Sequence, residues 1–295
     1  MSEPRTISEL LDAAERVLSD SSHIFEDHDN RMEAEDLIEF VLEADLDDLD
    51  DDEIPSRRER EKYLALVTRR AAGEPFPILV GSIEFYGMTL EVKPGSFVPR
   101  PSSELTVDRA VRRLRKQMKS RKKPVVVDVC TGAGPIALAI AAELPATEVW
   151  GTDIDAEGLA QGRRNANLLD IDNVTFRKSD MYKAMPKRLK GKVDLITGHI
   201  PYVPPDEVAD LPAEVKDHEP LFTLSGLSKD GLGLIRTAVQ QAPEWLVPGG
   251  WMLLEISEDM VPKVQRICAK AGFEDHGYAS DEDDLSVVVE ARLPR

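Results

Sequence analysis

The sequence contains no run of eighteen apolar residues, so no segment is expected to span a bilayer. Its opening residues, Met1, Ser2, Glu3, Pro4 and Arg5, lack the basic-then-apolar order of a secretory signal. Cysteine is scarce: Cys130 and Cys268 lie far apart and without ligand spacing, so no metal site is expected. A reduced, cytoplasmic setting is the expectation that follows. Internal repeats and long low-complexity stretches are also missing. Positive charge is in deficit, with a formal net charge of -18 over 295 residues. A chain this acidic is repelled by phosphate backbones, which argues against a nucleic-acid partner. One basic segment stands out, Arg109 to Lys123, with Arg112, Arg113, Arg115, Lys116, Lys119, Arg121 and Lys122. It precedes a hydrophobic strand and reads as the solvated face of a helix.

What is present is enough apolar material, 42% of the chain, for one large domain and a small one. The first sixty residues carry 21 acidic and 6 basic side chains, most of the negative excess. Ile7, Leu10, Leu11, Ala14, Val17 and Leu18 recur at helical spacing, as do Ala34, Leu37, Ile38, Val41 and Leu42. Ser8 and the acidic first turns suit helix starts. An acid run, Asp45 to Glu53, ends at Pro55 and precedes a third helix from Arg57 to about Ala72. Residues 1–74 are therefore expected to form a small helical bundle. Gly73 and Pro75 mark a change to extended chain, and 75–97 is expected to be a β-hairpin linker.

From residue 98 to 295 strands and helices alternate. Val125 to Val129 is a short β-branched run suited to a central parallel strand, and Glu148 to Gly151, Val193 to Thr197 and Trp251 to Ile256 repeat the theme. Helical stretches fall at Pro135 to Glu143, Glu157 to Leu169, Gly231 to Trp245 and Met260 to Ala271. The fold class that results is α/β, with a doubly wound sheet.

After the first strand comes Asp128-Val-Cys-Thr-Gly-Ala-Gly134, where Gly132 and Gly134 let the backbone turn tightly and approach a ligand. A glycine turn at the carboxyl end of a strand lies where open α/β sheets bind ligands. The third glycine of a dinucleotide fingerprint is replaced by Ala137. The second strand ends in Thr152-Asp153-Ile154-Asp155. Asp153, at the tip, can accept from both hydroxyls of an adenosine ribose, whereas Asp155 suits the cap of the next helix. Beyond the third strand, Asp180 can accept from an adenine amino group with Met181 against the ring. Each acid alone can be read as a cap or turn residue; three at successive strand ends point to a nucleoside.

Taken together, the helical N-terminal region, Gly81-Ser-Ile-Glu-Phe-Tyr-Gly87, Val98-Pro-Arg-Pro-Ser-Ser-Glu104, the glycine turn, and Glu219-Pro-Leu221 through Pro248-Gly-Gly250 resemble the protein-glutamine N5-methyltransferases of the HemK/PrmC group. The likeness covers nearly the whole chain. It implies a Rossmann-like class I methyltransferase sheet. S-adenosyl-L-methionine would be the methyl donor, held by Asp128, Thr131, Gly132, Gly134, Asp153, Ile154, Asp180 and Met181. Arg100, Glu104 and Ile200 would line the acceptor side. Segments bordering that side also carry His218 and Glu219.

One motif departs from the family. Where the group carries Asn-Pro-Pro-Tyr, this chain has His199-Ile200-Pro201-Tyr202. In the family the asparagine and an adjoining proline carbonyl orient the planar amide of the substrate. A neutral imidazole offers one donor and one acceptor instead of an amide's coplanar set, and it accepts a proton near neutral pH. His199, Pro201 and Tyr202 are thus the candidate catalytic residues. Three readings stay open at this point. A deprotonatable oxygen or nitrogen on a small molecule or peptide could be methylated with help from His199. A release-factor glutamine could be the acceptor, as in the family. The chain could instead be a cofactor-binding interaction module that no longer catalyses.

Overall fold

A computed structural model describes residues 4–24, 29–118, 123–280 and 286–295. The chain forms two compact units, Met1–Ser82 with Asp210–His218, and Ile83–Ala209 with Glu219–Arg295.

The first unit is helical. Helix α1 (Ile7–Ser19) starts at Thr6, whose hydroxyl accepts from the Glu9 amide while the Glu9 side chain takes the Thr6 amide. This reciprocal pair satisfies two of the donors a helix start leaves bare, and it places the cap two residues before the expected Ser8. Asp29 caps α2 (Asn30–Leu42), and a second reciprocal pair, Ser56 with Glu59, opens α3 (Arg57–Ala71). Leu10, Ala14, Leu37, Ile38 and Val67 meet in the core. Arg70 is also buried there. Its guanidinium forks onto Glu33 at 2.8 and 3.0 Å and reaches Glu214 at 2.8 Å. Extended chain is expected after Gly73, but residues 76–80 form a short helix α4 (Phe76–Val80), with proline in its first turn and Gly81 closing it at φ 82°. Proline costs nothing at a helix start, because its missing N–H has no partner there anyway.

From Ile83 the chain enters the second unit within a hairpin, β1 (Ser82–Phe85) and β2 (Met88–Glu91). Phe85 and Leu90 are sunk in the same core as α5 (Glu104–Gln117), so the hairpin is packed structure rather than a free linker. In chain order there follow β3 (Val125–Val129), α6 (Pro135–Glu143), β4 (Glu148–Asp153), α7 (Ala156–Leu168), β5 (Val174–Lys178) and β6 (Val193–His199). Two single-turn helices, α8 (Ala213–Lys216, in the first unit) and α9 (Leu221–Leu224), precede α10 (Gly233–Gln241), β7 (Leu246–Ser257), α11 (Val261–Lys270), β8 (Glu274–Ser280) and β9 (Ser286–Arg292).

Among the described residues the main sheet has seven strands in the order β5-β4-β3-β6-β7-β9-β8. Pairs from β5 through β7 are parallel, while β9 is antiparallel to both β7 and β8. Strand β3 is buried along its whole length. Val127 and Val129 face one apolar core and Val126 the other, which is why the run lacks polar alternation. Chain order reverses on either side of β3, and open sheets bind ligands at that switch point, beyond the strands' carboxyl ends.

The basic segment differs from its expected role. Arg112, Arg115 and Lys116 are exposed, but Arg109 and Arg113 pair with the buried Glu290 of β9, and Arg113 lies 3.9 Å above the Trp251 ring. Lys119, Arg121 and Lys122 lie outside the described residues. No helix among the described residues is long and apolar enough to cross a membrane.

Candidate active site

At the carboxyl edge of β3 and β6 an apolar column turns polar. On one face of the sheet Val126, Leu195 and Leu253 give way to Asp128 and Thr197, which are register partners, and then to His199 and Glu255, also partners. Asp128 is inside the strand, not at its tip, and is buried. Its two carboxylate oxygens accept from Thr131 at 2.5 Å and Thr197 at 2.7 Å. Burial pushes its carboxyl up to about 6 against the pull of those hydroxyls, with the charges of Asp153 and Glu255 adding to the rise. Asp128 and Thr131 therefore bind each other and fix the turn.

The turn that follows uses left-handed backbone at Cys130 (φ 56°), Gly132 (φ 54°) and Gly134 (φ 82°). The two glycines serve different ends. A β-carbon on Gly134 would sit 2.4 Å from the Phe176 ring, so this glycine is required by packing. At Gly132 a β-carbon would meet nothing within 4 Å, so the backbone there borders open space. The Gly132 amide donates to Asp153 at 2.8 Å, and the Asp155 amide donates to the other Asp153 oxygen at 2.8 Å. Each oxygen keeps a lone pair for a hydroxyl. Burial raises the Asp153 carboxyl above its ordinary value, with the backbone N–H groups of Asp155, Gly132 and Ile154 opposing. Asp155 caps α7, accepting from the Glu157 amide at 2.9 Å.

Beside this bend Ile154 is half exposed, an apolar platform at a strand end. Asp180 is exposed and bonded to Lys183 at 2.5 Å. Met181, in left-handed conformation at φ 49°, is buried in the core, so its side chain does not lie open beside Asp180. The open backbone at Gly132, a ribose-ready carboxylate at Asp153 and the Ile154 platform fit an adenosine-bearing donor.

The acceptor side is built around His199. Its ring stacks on Tyr202 with centroids 5.8 Å apart and meets Phe97 edge-on at 5.4 Å. Its Nδ1 lies 3.3 Å from the Ser103 hydroxyl and 3.5 Å from Glu255 Oε1. Glu255 is 1% exposed, and its oxygens accept from Ser102 at 3.1 Å and Thr106 at 3.2 Å. Burial, helped by the Glu255 charge, pushes the Tyr202 hydroxyl up to about 12, so it stays protonated. Arg100 pairs with the buried Glu219 at 2.7 Å and caps the Phe97 ring at 4.4 Å.

Two residues expected on the acceptor side are placed elsewhere. Glu104 accepts from the Tyr86 amide at 2.6 Å and so holds the hairpin turn, where Tyr86 has φ 51°. Ile200 is fully buried in the core. Pro201 is partly exposed next to Tyr202, and His218 belongs to the first unit. Glu255, Ser103 and Phe97 are additions that sequence reading did not single out. A lone acid inside the apolar run Trp251 to Ile256 was the available signal for Glu255.

Comparison with known proteins gives the class and the family. A family model described as "Methyltransferase domain" matches residues 120–255. The chain is an S-adenosylmethionine-dependent methyltransferase, with S-adenosylmethionine as its cofactor. It is 32% identical to the release factor glutamine methyltransferase of Thermodesulfovibrio yellowstonii over 83% of this chain and 86% of that one. It is 34% identical to the Coxiella burnetii enzyme of the same name, over 89% and 91%. The chain belongs to the release factor glutamine methyltransferase family. Among solved structures, a methyltransferase from Pyrococcus furiosus aligns with a TM-score of 0.51 at 16% identity, covering 81% of this chain and all of that one. The Thermus thermophilus 16S rRNA N2 G1207 methyltransferase, bound to S-adenosylmethionine and guanosine, gives 0.52 at 17% identity, covering 72% and 49%. At these identities the structures support the fold.

Proposed function

We propose that this enzyme methylates a side-chain nitrogen presented by a protein, the amide of a release-factor glutamine, and that His199 receives the N–H of that acceptor. The observation that carries this reading is the engagement of Nδ1 with Ser103 and Glu255. Among the described residues nothing is hydrogen-bonded to Nε2, which leaves that edge of the ring open. A carboxylate near Nδ1 favours the proton on that nitrogen, so Nε2 is a bare acceptor. It thus has the polarity of the asparagine carbonyl that His199 replaces, and an amide N–H can meet it.

Asp153, Ile154, Asp180 and the Gly132 backbone would hold the adenosine end of the donor. When bound, S-adenosylmethionine supplies a methyl group on a sulfonium. The protein's task is then to line the nitrogen up behind that methyl, a positioning role. Tyr202 and Phe97 fix the imidazole plane, and Pro201 continues the wall.

The first test is mass spectrometry of a release factor incubated with enzyme and donor. A single methyl on the glutamine of its Gly-Gly-Gln loop is expected, and an unmodified loop would overturn the protein-glutamine reading. His199→Ala is expected to lower turnover about 100-fold or more while S-adenosylhomocysteine affinity is kept. Unchanged turnover would remove His199 from the chemistry.

A further inference from the structure

The carboxylate beneath the imidazole is assigned no role by the family resemblance, and its surroundings are unusual. Glu255 lies in a central strand, buried, in register with His199. A buried carboxylate is normally matched by a cation, since an isolated buried charge is costly. Among the described residues its side-chain partners are two hydroxyls and an imidazole, those of Ser102, Thr106 and His199. Ser102 and Thr106 flank the start of α5, a fourteen-residue helix whose amino end carries partial positive charge. Of these partners only the imidazole can carry a positive charge. The charge is therefore left facing Nδ1.

Resting on the reading above, in which His199 receives the acceptor's proton, we propose that Glu255 is the positioning residue that makes His199 a base. It locks the Nδ1–H tautomer and keeps Nε2 aimed at the acceptor. It also supplies the negative charge that balances the imidazolium formed during transfer. In atoms, the acceptor nitrogen bonds to the methyl carbon, the carbon–sulfur bond breaks onto sulfur, and the nitrogen's proton passes to Nε2. Nδ1–H stays shared with Ser103 and Glu255 throughout. The proton then leaves from Nε2 to water once the product departs. Ser103 steadies the ring from the side, and the Phe97 edge and Tyr202 face prevent it from swinging off the carboxylate.

The test uses the full chain, with a release factor as acceptor and Glu255→Gln as an isosteric neutral replacement. The expected result is a fall in kcat of about 100-fold or more, the range of general-base catalysis, with KM within about two-fold. S-adenosylhomocysteine affinity should be unchanged. Nitrogen NMR of labelled imidazole should show His199 as the Nδ1–H form in the unaltered enzyme and as a mixture, or as Nε2–H, in the variant. A merely structural glutamate would move neither the tautomer nor kcat alone. The proposal is overturned by an Nε2–H tautomer in the unaltered enzyme, which needs no variant to detect. It is overturned equally by a Glu255→Gln enzyme with full kcat. If His199→Ala is inactive while Glu255→Gln is fully active, only the role of Glu255 falls. If His199→Ala keeps full turnover, the reading beneath it falls as well.

Discussion

Gly134 and Gly132 stand two residues apart in the same turn, yet replacing each by alanine should have unequal costs. Both have positive φ, so either alanine accepts left-handed backbone, a penalty of about 1–2 kcal/mol. At Gly132 that is the whole cost, because the new methyl meets open space. At Gly134 the methyl would lie 2.4 Å from two atoms of the Phe176 ring. That ring is itself crowded: β-carbons at Gly151 and Gly162 would also strike it, at 2.7 and 3.0 Å. It has little room to retreat, and overpacking of this kind adds about 1–3 kcal/mol. Gly134→Ala should therefore cost about 2–5 kcal/mol in total, and Gly132→Ala about 1–2 kcal/mol. Urea unfolding followed by tryptophan fluorescence is the assay, since Trp150, Trp245 and Trp251 all belong to the second unit. Repeating Gly134→Ala in a Phe176→Leu background should reduce its cost toward the backbone part alone. Equal costs at the two glycines, or no coupling between Gly134 and Phe176, would refute the packing explanation.

Two further outcomes follow from buried charge. Because burial raises the Asp128 carboxyl from 3.8 to about 6, the folded chain holds that proton more tightly than the unfolded one. The stability this contributes is fully present below about pH 4 and is lost as pH rises through 6, a swing of roughly 3 kcal/mol. Asp128→Asn should remove that swing from urea midpoints measured across the window, and identical pH slopes in both proteins would count against it. In the first unit, Arg70→Met takes the guanidinium from two buried carboxylates, Glu33 and Glu214, and should cost about 3–5 kcal/mol by circular dichroism melts. A loss under about 1 kcal/mol would mean the triad is not an ionic anchor.

Much of the architecture was legible because it rests on local patterns. Val125–Val129 and Pro135–Glu143 fall where the β-branched run and the proline start place them. Asp155 caps its helix as its position after the strand suggested. What escaped depends on partners distant in sequence. The expectation of extended chain fails at 76–80, where Pro75 is the cap and Pro77 lies in a helix's first turn, a place proline tolerates as well as extended chain. Gly134 looked like a ligand glycine because Phe176 is 42 residues away and reaches it only once β5 is laid beside β4. Motif position alone points Glu104 and Ile200 toward the acceptor, whereas their hydrogen bond and burial arise from tertiary contacts. Glu255 needed the β6–β7 register, which no single strand encodes.

The excursion at Asp210–His218 has a consequence for how the chain can be divided. The polypeptide starts in the helical unit, enters the sheet unit, returns for nine residues, and goes back. No single cut separates the two bodies. A truncation that discards everything up to Ser82 would take Arg70 with it and break its ion pair with Glu214. The helical portion is thus no detachable cassette: grafting it onto another sheet, or deleting it, means rebuilding a stretch encoded more than a hundred residues downstream.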